Sequence, residues 1–137
     1  MSRLQESLRG FLEVEGVRTA AVIDIATGLI VRSVGKPDPE LPVTAACVAD
    51  EARAVRDALG TVGALGAVGA LGEDDAPDEK ADVVEISTVT GSRLQVSRIL
   101  RSRPGDGLLL FIDLERTRSN LGLATLRVGQ LASAVLA

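Results

Sequence analysis

Apolar residues recur along the chain with two periods, and the alternation between them outlines the fold. Leu4, Leu8, Phe11 and Leu12 fall at helical spacing, which predicts an amphipathic helix over Ser2 to Val14. Ser2 and Gln5 have the spacing of a capping box, and Gly16 closes the segment. Two β-rich runs follow, Val17 to Asp24 and Leu29 to Val34. Ala26-Thr27-Gly28 between them has turn chemistry, so the pair is expected to be a hairpin. After a loop, Asp38-Pro39 reads as a cap followed by proline at the first helical position. Pro42 is tolerated there, because first-turn N–H groups have no intrahelical acceptor. Leu41, Ala45, Val48, Ala52, Val55 and Leu59 then form one apolar stripe with spacings of 4, 3, 4, 3 and 4 residues.

Glycine next falls at 60, 63, 66, 69 and 72, before an acidic run from Glu73 to Asp82. Each glycine costs a helix about 1 kcal/mol, so residues 60–82 are expected to be an irregular connection. Val83 to Val89 and Arg93 to Leu100 are strands joined by Thr90-Gly91-Ser92. Pro104-Gly105-Asp106-Gly107 is a turn. Leu108 to Leu114 is a nearly continuous apolar run, as expected of a central strand buried on both faces. Ser119 is placed to cap a last helix carrying Leu121, Ala124, Val128, Leu131 and Val135, thickened by Ala132 and Leu136. The predicted order is α-β-β-α-β-β-β-α in a single domain spanning residues 1–137. Hairpins dominate it, so the class is α/β of the α+β kind, an antiparallel sheet covered by helices.

Composition narrows the chemistry. Among 137 residues there is no histidine, one cysteine and no aromatic beyond two phenylalanines. The usual general base and metal ligand are therefore missing, no intramolecular disulfide can form, and bases would find no stacking platform. A net charge of −4 disfavours nucleic acid. No stretch approaches a membrane span or a signal-peptide core, so a cytoplasmic protein is expected.

Candidate sites are few. Arg98, Arg101 and Arg103 read as a solvated hairpin end. Glu73-Asp74-Asp75 with Asp78-Glu79 lacks the spacing of a calcium loop. Asp24 and Asp113 end antiparallel strands and would lie roughly 20 Å apart, so turn and loop hydrogen bonding is their expected role. Cys47, off the stripe, reads as a small, partly buried hydrophobe. No metal, cofactor or catalytic residue is expected, which leaves surfaces to carry function.

Val14-Glu15-Gly16-Val17, Ala20 to Asp24 with Gly28, Glu85-Ile86-Ser87-Thr88 before Gly91, Leu94 and Val96, Gly107 to Asp113, and Ser119 to Ala124 together form a recognisable order and spacing. In these the chain resembles the roadblock / dynein light-chain family in its bacterial form. The long connection at 60–82 departs from that pattern. The resemblance implies a profilin-like, five-stranded antiparallel sheet, with the second helix on one face and the first and last helices on the other. It implies a homodimer formed through third strands and second helices, here Val83, Val84, Glu85, Ile86 and Ser87 with Val48, Ala52, Val55 and Leu59. It also implies regulation of a small Ras-like GTPase, with a sensor kinase or other operon-encoded protein as a further partner. Helix periodicity turns Glu51, Arg53, Arg56 and Asp57 outward, which makes them the expected partner contact. Two alternatives stay open: a scaffold or adaptor in a kinase or motor complex, and a small-molecule sensor. The near absence of aromatics disfavours the sensor.

Overall fold

The computed structural model describes residues 3–69, 85–100, 107–116, 121–132 and 135, with the side chains of 59–69 and of Leu121 outside the description. The order is α1 (Arg3–Phe11), β1 (Val17–Asp24), β2 (Ile30–Gly35), α2 (Leu41–Gly69), β3 (Glu85–Val89), β4 (Arg93–Leu100), β5 (Leu108–Glu115) and α3 (Leu121–Ala132). The strands form one antiparallel sheet of order β2-β1-β5-β4-β3. This is the predicted architecture of three helices on a five-stranded antiparallel sheet.

Strand β5 is central because it can be buried on both faces. Leu109 to Leu114 are all buried, and Ala20 to Ile23 of β1 beside it are fully so. Alternate residues go to opposite layers. Ala20, Val22, Val96, Leu110, Ile112 and Leu114 join Leu8 and Phe11 of α1 and Ala124 and Val128 of α3 in one core. Ala21, Ile23, Ile99, Leu109 and Phe111 join Leu41, Ala45, Ala49 and Ala52 of α2 in the other. The second helix therefore covers one face, and the first and last helices cover the other.

Glycine shapes two close approaches. Gly35 has φ +113°, and a Cβ there would stand 2.2 Å from the Arg18 carbonyl oxygen. Gly28 has φ +75° in the β1–β2 turn and lets Ala46 of α2 come within 3.1 Å of where a Cβ would be. Asp24 stabilises the same turn, accepting from the Ala26 amide at 3.0 Å.

Several expectations are corrected. The glycine-rich stretch is not an irregular connection from Gly60: α2 continues to Gly69. Glycine weakens a helix without removing a hydrogen bond, and alanine, leucine and valine fill most positions between, with no proline between Pro42 and Pro77. The helix starts at Leu41, two residues later than the Asp38-Pro39 reading. Asp38 still serves its entry, accepting from the Glu40 amide at 2.9 Å. The first helix ends at Phe11, where Leu12 and Val14 amides turn back onto the Arg9 and Phe11 carbonyls. Cys47 is exposed rather than partly buried, because Ala45, Ala49 and Ala52 occupy the inward line. Ser2, residues 70–84 (with Val83 and Val84), Arg101, Arg103 and the Ser119-Asn120 cap lie outside the described residues.

Leu8→Ala is expected to cost roughly 2–5 kcal/mol in denaturant melts, because Leu8 is fully buried against the sheet. Leu131→Ala should cost less, since Leu131 only flanks that core. The reverse ranking would mean that α3, not α1, carries the packing of this layer.

Candidate functional site

With both sheet faces covered, the sheet's open surfaces are its edges. Among the described residues, β2 and β3 are the edge strands. β3 hangs on β4 alone, in the register Glu85↔Arg98 to Val89↔Leu94. Ile86 turns into the α2 layer, while Ser87, Thr88 and Val89 are exposed. Such an edge offers unpaired N–H and C=O groups to another strand.

Helix α2 adds a flank on that side. At 3.6 residues per turn, Ala46 and Arg53 lie toward the β1–β2 turn, as their contacts with Gly28 and with the Ile25 carbonyl require. Val48 and Val55 fall on the opposite flank, toward β4 and β3, and both are only partly buried. The helix also outruns the sheet. Its 29 residues span about 43 Å, against about 26 Å for the 8-residue strands. Val55 still packs against the core, and Arg56, Asp57 and Ala58 after it are exposed, so the 14 positions from 56 to 69 carry the helix on by about 21 Å.

The four charges expected on the outer face of α2 do not share one role. Glu51, Arg56 and Asp57 are exposed. Arg53 is half-buried: its guanidinium donates to the Ile25 carbonyl, to the Ala26 carbonyl at 3.2 Å, and to Asp50 on its own helix. It ties α2 to the β1–β2 turn, whereas helix periodicity alone places it outward. Arg98 is likewise no free hairpin end, since it faces Glu85 across β3–β4 at 3.4 Å beside Gly129 of α3.

Sequence reasoning missed a polar cleft on the α2 face, where that helix begins. It has a volume of about 510 Å³, and Phe111, Thr19, Gln95, Lys36 and the Asp38–Thr44 entry help to line it. Asp113 is buried in its wall at 4% exposure. One carboxylate oxygen accepts from the Arg93 guanidinium. The other, Oδ1, has no hydrogen-bond partner among the described residues. Asp113 is therefore a buried strand residue paired with Arg93, not the turn carboxylate expected. Burial pushes its carboxyl above the ordinary 3.8, against the pull of Arg93 and Arg18. Nearby, Arg18 and Lys36 share Glu115 at 3.7 and 4.0 Å. The available signal was a charge interrupting an otherwise apolar run from Leu108 to Leu114. Among the described residues, no cluster of His, Cys, Asp or Glu could hold a metal ion.

Comparison with solved structures places this arrangement. The gliding protein MglB of Thermus thermophilus superposes with a TM-score of 0.71 at 21% identity, over 97% of this chain and 85% of that one. A Roadblock/LC7 domain from Streptomyces avermitilis gives 0.62 at 17% identity, over 98% and 95%. Myxococcus xanthus MglB gives 0.63 at 15%, over 98% and 86%. No family model and no curated protein matches the sequence. The chain has the roadblock/LC7 fold, as its sequence motifs suggested.

The Asp113 environment sets a pH dependence. Between 3.8 and its raised value, the folded protein holds a proton that the unfolded chain has lost. Stability from this group therefore rises as pH falls through that window. In urea melts from neutral to mildly acidic pH, wild type should gain stability relative to Asp113→Asn. A difference that is flat or shrinks toward acid would contradict the burial of an ionisable carboxyl here.

Proposed function

We propose that the chain is a non-catalytic homodimer that serves as a platform and regulator for a small Ras-like GTPase. The observation that carries this reading is an open edge strand and a half-buried apolar helix flank on the same side of a roadblock/LC7 sheet. Pairing β3 with its two-fold copy continues the sheet and satisfies the free backbone groups. Val48, Val55 and Leu59 of α2, with Glu85, Ile86 and Ser87 of β3 and Val83 and Val84 before it, form the dimer contact, whereas Ala52 is fully buried against the sheet and is no part of it. The projecting half of α2 is rich in alanine, valine and leucine, a composition suited to lying against another helix rather than in water. Structures of MglB share the fold over nearly the whole chain, and the sequence resemblance supplies the GTPase class.

The partner surface in this reading is the exposed charge of α2: Glu51, Arg56 and Asp57, with Arg53 behind them holding the helix to the β1–β2 turn. Two such helices side by side present mixed charge that orients a partner and speeds its approach. Regulation acts by binding and positioning the GTPase, whose own residues hold the nucleotide.

Sedimentation at micromolar concentration is expected to give twice the 14.2 kDa monomer mass; a monomer there would overturn the dimer. A pull-down from the source organism is expected to recover a Ras-like GTPase. Glu51→Arg with Arg56→Glu should slow association with that GTPase and flatten its salt dependence, while leaving the dimer mass unchanged. Binding unaltered at low salt would move the contact off α2. Unchanged GTP turnover in the complex would favour a scaffold instead.

A further inference from the structure

The cleft at the start of α2 lies apart from β3 and from the projecting end of α2, and its chemistry is independent of the dimer and partner reading. Its volume of about 510 Å³ falls within the roughly 300–1,000 Å³ of small-molecule sites. Its charged lining is balanced: Arg18, Lys36 and Arg93 against Asp38, Glu40 and Asp113. The charges are not equally committed. The Asp38 Oδ1 accepts from the Glu40 amide, and Arg93 is held by Asp113. Arg18 and Lys36 share the single carboxylate of Glu115 at loose distances, which leaves positive charge in surplus at that wall.

The acceptor in surplus is Asp113 Oδ1. A buried polar atom without a partner is costly, so natural proteins rarely keep one. Register places Thr19 of β1 and Gln95 of β4 beside Asp113, yet neither satisfies Oδ1. The terminal torsion of an aspartate is broad and two-fold. Asp113 lines the cleft, so rotation about that torsion is the motion that would present Oδ1 to a ligand while Oδ2 stays with Arg93.

The geometry points to a binding site for a small zwitterionic amino compound, of amino-acid or dipeptide size, whose ammonium meets Asp113 and whose anionic group meets Arg18 and Lys36. A bare metal cation is disfavoured, because among the described residues no cluster of His, Cys, Asp or Glu could hold one and three cationic side chains line the cleft. A simple anion is disfavoured by Asp38, Glu40 and Asp113. A molecule carrying both charges answers both surpluses, and the cleft's predominantly polar lining suits a small, polar skeleton. A compound held there would contact the entry of α2 and strands β1, β4 and β5 together, so occupancy would brace the helix on which the proposed GTPase contact stands.

The test uses the full chain, isotopically labelled, with the twenty standard L-amino acids and a panel of dipeptides as probes. At least one probe is expected to raise the melting temperature by about 2 °C or more at saturation and to shift the amide resonances of Glu40, Ser92 and Arg93. Its N-acetyl derivative, which lacks the ammonium, should do neither. Asp113→Asn should weaken binding at least about tenfold. Lys36→Ala, at an exposed rim position, should weaken it while leaving the unliganded melt unchanged, which keeps the test valid if the aspartate variant folds poorly. The proposal is overturned if no probe moves the melt or those amides, if the N-acetyl compound binds as well, or if folded Asp113→Asn binds with unaltered affinity.

Discussion

Burial of the central strands on both faces is the constraint from which the rest of the molecule follows. β1 and β5 present apolar residues to both layers, Ala20 and Val22 with Leu110 and Ile112 to one, Ala21 and Ile23 with Leu109 and Phe111 to the other. A strand of that character cannot leave either face to water. One layer is closed by α2, and the other by α1 with α3. Once both faces are used, interaction is left to the sheet edges and to whatever length of helix the sheet cannot cover.

That remainder is concentrated on one side. β3 is short, paired on one side only among the described residues, and exposed over Ser87 to Val89. The Val48–Val55 flank of α2 lies toward it, and the helix runs on to Gly69 beyond the sheet end. Arg53 matters here as a positioning residue. By gripping the carbonyls of Ile25 and Ala26 it sets where α2 leaves the sheet, and so where the charges of Glu51, Arg56 and Asp57 stand. The polar cleft occupies the opposite end of the same helix, so α2 joins two chemically different regions. One is a dry flank suited to another chain, and the other a charged recess suited to something small.

The strands were legible in the sequence because their signals are local. β1 and β4 have the predicted bounds, Val17–Asp24 and Arg93–Leu100, since turn residues frame their apolar runs. The layer assignment followed from the resemblance, and alternation agrees with it. Legibility failed where one residue's role depends on a distant one. Asp113 looked like a strand-end carboxylate, because nothing local reveals that Arg93, 20 residues earlier, lies against it. Arg53 looked outward, because periodicity cannot show that the β1–β2 turn sits over that flank. Gly60 to Gly69 failed differently: summed propensity argued against a helix, but propensity is a weak prior and the alanines and leucines between the glycines continue the preceding turns. The interface and partner-contact residues remain a reading of edge, flank and charge.

The central claim is that a second copy of the chain closes the β3 edge. Amide hydrogen exchange over Glu85–Val89 tests it directly. In an antiparallel ladder, successive N–H groups point alternately to the two sides. With only β4 as neighbour, every second amide of β3 faces water. Pairing on both sides is predicted to protect all five residues continuously at concentrations where the chain associates, and to lose alternate positions on dilution. An alternating pattern that persists at high protein concentration would contradict the account.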